Sequence, residues 1–188
     1  MACRKNGLLN GLTQNITTFC IKIEMKKKQS ALFQSLDLVA LSIGADIVEM
    51  TDENRVLCAK GLAQLNAAPR PAFLAILELA AKTLPLSLRD VVFVLAPRIN
   101  AAGRIASGKR AVDWMLSTDD AEIAALALDI NTDNTARRAL DQEMTAQALA
   151  QIEANPSFQD QFSTIVYDPT WHKGVVGIVA SRLIDRHY

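Results

Sequence analysis

Residues 36–43 are almost uninterruptedly apolar, a run that periodicity alone assigns equally to a buried helix or a buried strand. The run closes on Gly44-Ala45-Asp46, which sets a carboxylate at the mouth of a buried element. Thr51 and Asp52 then read as the cap of a helix over 53–65, with Val56, Leu57, Gly61 and Leu65 on its apolar face. Ala67-Ala-Pro-Arg-Pro71 interrupts the pattern, and Arg70 within it reads as a surface side chain. A helix over 71–82, a loop around Pro85, a buried strand over 91–96 and a short helix over 109–116 follow.

Ser117-Thr-Asp-Asp120 resembles a capping box and opens a helical pattern that ends only before Asn155-Pro156. Such a helix has about 35 residues and is roughly 50 Å long, which suits an element spanning two bodies. Its apolar stripe includes Ile123, Leu126, Ile130, Leu140, Met144, Ala148 and Ile152, and is interrupted by Asn134 and Arg137. Asn134 reads as a residue of a helix crossing solvent, Arg137 as one facing a ligand groove. Beyond Pro156, a β-branched run over 163–167 reads as a strand leading through a turn into a second helical pattern. This alternation makes the expected class α/β.

The 188 residues carry 20 basic and 20 acidic side chains, so no global field attracts nucleic acid and phosphate recognition must be local. The distribution is uneven. Residues 1–30 hold six Lys/Arg against Glu24 alone, with Lys26, Lys27 and Lys28 forming a basic arm. Cys3, Cys20 and Cys58 are odd in number and lack Cys-x-x-Cys spacing, which argues against a disulfide framework or structural zinc and for a reduced, cytoplasmic setting. No run approaches the ~18 apolar residues of a membrane span, and no signal-peptide core is visible.

Two segments carry the chemistry. In Asp168-Pro-Thr-Trp-His-Lys-Gly-Val-Val-Gly-Ile-Val-Ala-Ser-Arg182, a strand, a glycine turn and a helix start follow one another. Free backbone N–H groups and the positive end of a helix dipole make such a turn an anion site. His172, Lys173, Gly174 and Gly177 occupy the turn and helix entry, with Ser181 and Arg182 further along. Pro97-Arg-Ile-Asn-Ala-Ala-Gly-Arg104 is the second segment. Arg98 and Arg104 flank Asn100 and Gly103, and the arginine fork matches phosphate oxygens in pairs.

With these segments in order, the chain resembles the RecJ single-stranded-DNA-specific exonucleases of the Asp-His-His phosphoesterase superfamily. The residues behind the resemblance are those of 36–48, Glu53-Asn-Arg55, Pro97 to Arg104, and Trp171 to Leu183. The resemblance implies helices on a mainly parallel sheet. It divides the chain into an unmatched segment 1–35, the C-terminal part of a phosphoesterase domain over 36–117, a connecting helix over 118–155, and the start of a nucleic-acid-binding domain over 156–188. It further implies two divalent metals, Mn²⁺ or Mg²⁺, with Asp46 matching the late Asp among their ligands, and single-stranded DNA as substrate, degraded from the 5′ end during repair and recombination. Arg98, Asn100, Gly103, Arg104, Arg137, His172, Lys173, Gly174, Gly177, Ser181 and Arg182 would hold the DNA backbone, and other repair proteins are candidate partners.

The sequence departs from the family pattern in having no Asp-x-Asp and no adjacent histidines; its two histidines are His172 and His187. It therefore reads as an internal fragment without hydrolytic activity of its own. The alternatives are a non-catalytic nucleic-acid-binding remnant, or a phosphodiesterase acting on short oligonucleotides or cyclic dinucleotides. The latter relatives carry a glycine-rich His motif where this chain has Trp-His-Lys-Gly-Val-Val-Gly.

Overall fold

A computed structural model describes residues 33–155, 157–158 and 161–187. The basic arm at Lys26, Lys27 and Lys28, together with Cys3 and Cys20, lies outside the described residues. Cys58 is buried, and burial pushes its thiol pKa up.

The apolar run at 36–43 resolves as a helix, α1 (Leu36–Ala45), and the capped segment after it as α2 (Asp52–Ala67). The two cross closely at Gly61, where a Cβ would lie 2.7 Å from the Ala40 side chain and against the Leu36 carbonyl. Only glycine fits that crossing without displacing backbone. Asp37 of α1 is 1% exposed. Arg70 spans its carboxylate, with Nε 2.5 Å from Oδ2 and Nη2 3.1 Å from Oδ1. Arg70 is thus no ordinary surface residue; it neutralises a buried charge.

Helix α3 (Pro71–Leu79) begins on a proline, which loses nothing at a first turn, and buries Phe73, Ile76 and Leu77. Phe73 meets Trp114 of α6 (Gly108–Leu116) with ring centroids 6.1 Å apart and planes tilted by 54°.

The strand expected over 91–96 is helical instead. Ser87 and Asp90 form a capping box that starts α4 (Leu88–Asp90), and a π-helical turn, Val91–Leu95, leads directly into α5 (Ala96–Ile105). Val91 and Leu95 are buried while Phe93 is 68% exposed, a helical and not an alternating pattern. Pro97 has no N–H for an ordinary i to i−4 bond, and its ring crowds the carbonyl there. The wide turn accommodates it, with Ala96 N–H donating to the Val91 carbonyl.

Helix α7 (Asp120–Glu153) runs 34 residues without a break at Asn134, which is buried at 5% exposure. Its cap is Asp119, whose carboxylate accepts from the N–H groups of Ala121 at 2.8 Å and Glu122 at 3.0 Å. Ser117, expected in that role, instead donates to the Glu122 carboxylate at 2.5 Å. The N-terminal half of α7 places Ile123, Ala127 and Ile130 in one core, with Leu65, Phe73, Leu95 and Trp114. The C-terminal half places Met144 and Ala148 in another, with Val175, Val179 and Leu183. Asn134, Arg137 and Asp141 lie between the two cores.

Residues 163–167, expected as a strand, form no strand. The Gln151 side-chain amide substitutes for a neighbouring strand, donating to the Tyr167 carbonyl at 3.2 Å and accepting from its N–H at 3.3 Å. The last helix is α8 (Val176–His187). Among the described residues no β-strand forms, so the expected parallel sheet is not found in them. A short β-branched run is as compatible with a buried helix or an unpaired extended segment as with a strand. No helix is long and apolar enough to cross a membrane among the described residues.

Candidate nucleic-acid interface

The two arginine- and glycine-bearing segments, far apart in sequence, meet at the C-terminal end of α5. Gly174 packs on the backbone of Arg104, where an added Cβ would lie 3.0 Å from its carbonyl carbon and 3.2 Å from its Cα. Arg104 in turn donates from Nη1 to the Gly174 carbonyl at 3.2 Å. The turn is organised from within. Gly174 N–H donates to His172 Nδ1 at 3.1 Å. Asp168 accepts from both the N–H and the hydroxyl of Thr170, which lowers its pKa. Trp171 fastens the turn to α7 by donating to Gln147 at 2.7 Å.

Arg182 reaches inward from α8 and donates to Asp141 Oδ2 of α7 at 2.8 Å. Arg137 lies 3.7 Å from the same oxygen and donates to Asn134 at 3.0 Å. Burial lowers the Arg137 pKa; Asp141 raises it, and the like charges of Arg138, Arg104 and Arg182 lower it further. Arg98 turns toward α7, donating to Asn131 at 2.9 Å and to its own Val94 carbonyl at 2.7 Å. Burial and Arg138 lower its pKa as well. Five arginines from α5, α7 and α8 therefore form one field, with Asp141 buried among them.

The remaining predicted residues divide. Lys173, Gly177 and Ser181 are exposed. A Cβ at Gly177 would meet nothing within 4 Å, so packing does not require this glycine, and Ser181 donates locally to the Gly177 carbonyl. Gly103 is exposed and only loosely apposed to Gly108. Asn100 donates to the Ala45 carbonyl at 3.3 Å, which ties α5 to the end of α1 beside Asp46. Asn100 and Arg104 stand one turn apart on α5, so one face of that helix runs from Asp46 toward the Gly174 turn. Asp46 is exposed, and Ile47 after it has φ 50°, a conformation a β-branched residue rarely adopts.

Sequence reading missed Asp141, Arg138 and Asn131. Asn134, Arg137 and Asp141 are spaced by three and four residues, so the polar face was visible in outline; its partner on α8 was not.

The described residues do not by themselves complete a metal site. Among the described residues no group of three or more His, Cys, Asp or Glu side chains converges, and Asp46 brings one carboxylate only.

No family model matches the chain. Relatives are nevertheless clear. The chain is 37% identical over 161 residues to the single-stranded-DNA-specific exonuclease RecJ of Dickeya dadantii, covering 84% of this chain and 28% of that protein. It is 37% identical to RecJ of Bacillus subtilis over 154 residues, covering 81% of this chain and 19% of the relative. Its fold matches the crystal structure of Thermus thermophilus RecJ in complex with Mn²⁺ at a TM-score of 0.71 and 32% identity, covering 82% of this chain and 23% of that one. A crystal structure of exonuclease RecJ bound to manganese matches at 0.72 and 32% identity, covering 82% and 38%. The chain thus spans between 19% and 28% of the length of these curated relatives. By sequence and by fold together, this chain is similar to one part of the RecJ exonucleases.

Proposed function

We propose that this chain is part of a metal-dependent exonuclease that removes nucleotides from the 5′ end of single-stranded DNA in repair and recombination, and that its own contribution is to grip the strand. The observation that carries the reading is the convergence of Arg104, Arg137 and Arg182, with Arg98 and Arg138 beside them, where α5, α7 and α8 meet. Residues 36–117 are assigned to the phosphoesterase domain, 118–155 to the connecting helix and 156–188 to the nucleic-acid-binding domain. The separate cores on the two halves of α7 support that division.

Asp46 is proposed as one carboxylate ligand of the Mn²⁺ or Mg²⁺ pair, a hard oxygen donor for a hard cation, the other ligands coming from beyond the described residues. The exposed apolar side chains Ile47, Val56 and Phe93 support a parallel sheet as the partner of these helices in the complete domain. The location is proposed as cytoplasmic, with other repair proteins as partners.

Titrating the full chain against a labelled single strand at several salt concentrations tests the grip. Arg104→Ala should lower the log–log salt slope by about 0.7 per lost phosphate contact, independently of base sequence. The exposed control Lys60→Ala should leave it unchanged. Equal slopes in both variants would overturn the reading.

A further inference from the structure

Asp141 is 2% exposed, and its carboxylate is buried among the arginines of this field. Arg182, half exposed, and Arg137, largely buried, both lean on its Oδ2. Its second oxygen, Oδ1, is buried without a hydrogen-bond partner, as are Nε of Arg137 and Oγ1 of Thr145 one turn along α7. A carboxylate so stripped of water is costly, and a packed apolar side chain often serves stability at least as well. Its position requires another account. Arg137 and Arg182 belong to different helices and repel each other, Arg104 and Arg138 also repel Arg137, and the first two are held together at this single oxygen.

Resting on the interface reading above, the geometry points to Asp141 as the positioning residue of the arginine cluster, the buried anion that holds Arg137 and Arg182 as one unit for the phosphates of a single strand. It stands in for phosphate before DNA arrives and sets the spacing of the two guanidiniums.

The test turns on a sign. Removing a negative charge beside bound phosphate should, on charge alone, tighten binding. A positioning role reverses this. The full chain is titrated with fluorescein-labelled oligothymidylate over several salt concentrations. Asp141→Asn should bind more weakly than the unaltered chain, with a salt slope smaller by about 0.7, the value of one single-strand phosphate contact. The loss should not add to that of Arg182→Ala; the double variant should bind as Arg182→Ala does. Asp141→Glu, which retains the charge, should recover the original slope.

Binding by Asp141→Asn that equals or exceeds that of the unaltered chain, or losses that add, would overturn the assignment while leaving the interface intact. Failure of the unaltered chain to bind, or a slope unchanged by Arg104→Ala, would overturn the interface and this role with it. Circular dichroism identifies any unfolded variant. Should Asp141→Asn be one, the comparison of Asp141→Glu with Arg182→Ala decides: a slope for Glu no greater than that for Arg182→Ala overturns the proposal.

Discussion

Gly174 lies directly on the backbone of Arg104, two residues 70 positions apart that also share a hydrogen bond from the arginine side chain to the glycine carbonyl. That contact joins the two arginine- and glycine-bearing segments and seats the turn before α8 at the end of α5. It also explains why this position takes glycine: a Cβ there would meet immobile main chain and not a side chain able to move.

Gly174→Ala should therefore loosen the turn and the helix behind it. Overpacking against backbone costs about 1–3 kcal/mol, seen as a lowered midpoint in urea unfolding. Gly177→Ala, facing open space, should leave the midpoint unchanged or raise it slightly, because alanine favours the helix. Equal effects of the two substitutions would contradict the packing described.

At the other end of the molecule, Gly61→Ala should separate α1 from α2, since the methyl group would press on the Leu36 carbonyl and the Ala40 side chain. A loss of about 1–3 kcal/mol is expected. Thermal unfolding measures it, and an unchanged midpoint would show that the crossing is looser than it stands here.

Arg70→Ala should cost more than an exposed charge would. It leaves the buried Asp37 carboxylate without its partner, a loss of about 3–5 kcal/mol for a fully buried pair, placed at the lower end because Arg70 is 25% exposed. Asp37→Asn with Arg70→Ala should recover part of the loss, because no charge is then left unpaired. Urea titrations of both variants check this.

Incubated with a labelled single strand and Mn²⁺, this chain should release no nucleotides above background, since Asp46 alone among the described residues cannot assemble a two-metal site. Processive shortening abolished by Asp46→Ala would prove the chain sufficient for catalysis. In a complete homologue the matching substitution should remove activity and leave strand binding largely intact.

Sequence alone determined what depends on neighbours a few residues away. The long helix α7 was legible from its acidic cap and the Asn155-Pro156 stop, and the two arginine- and glycine-bearing segments stood out by residue type and spacing. Local pattern also set a limit: residues 91–95 are β-branched enough for a strand, and tertiary packing with the wide turn before Pro97 made them helical. Tertiary structure alone decided which charges meet. Arg70 finds Asp37 across 33 positions, Arg182 finds Asp141 across 41, and Arg104 finds Gly174 across 70. Helical period and capping are properties of a single segment, whereas a buried ion pair exists only after separate segments have packed and excluded water between them.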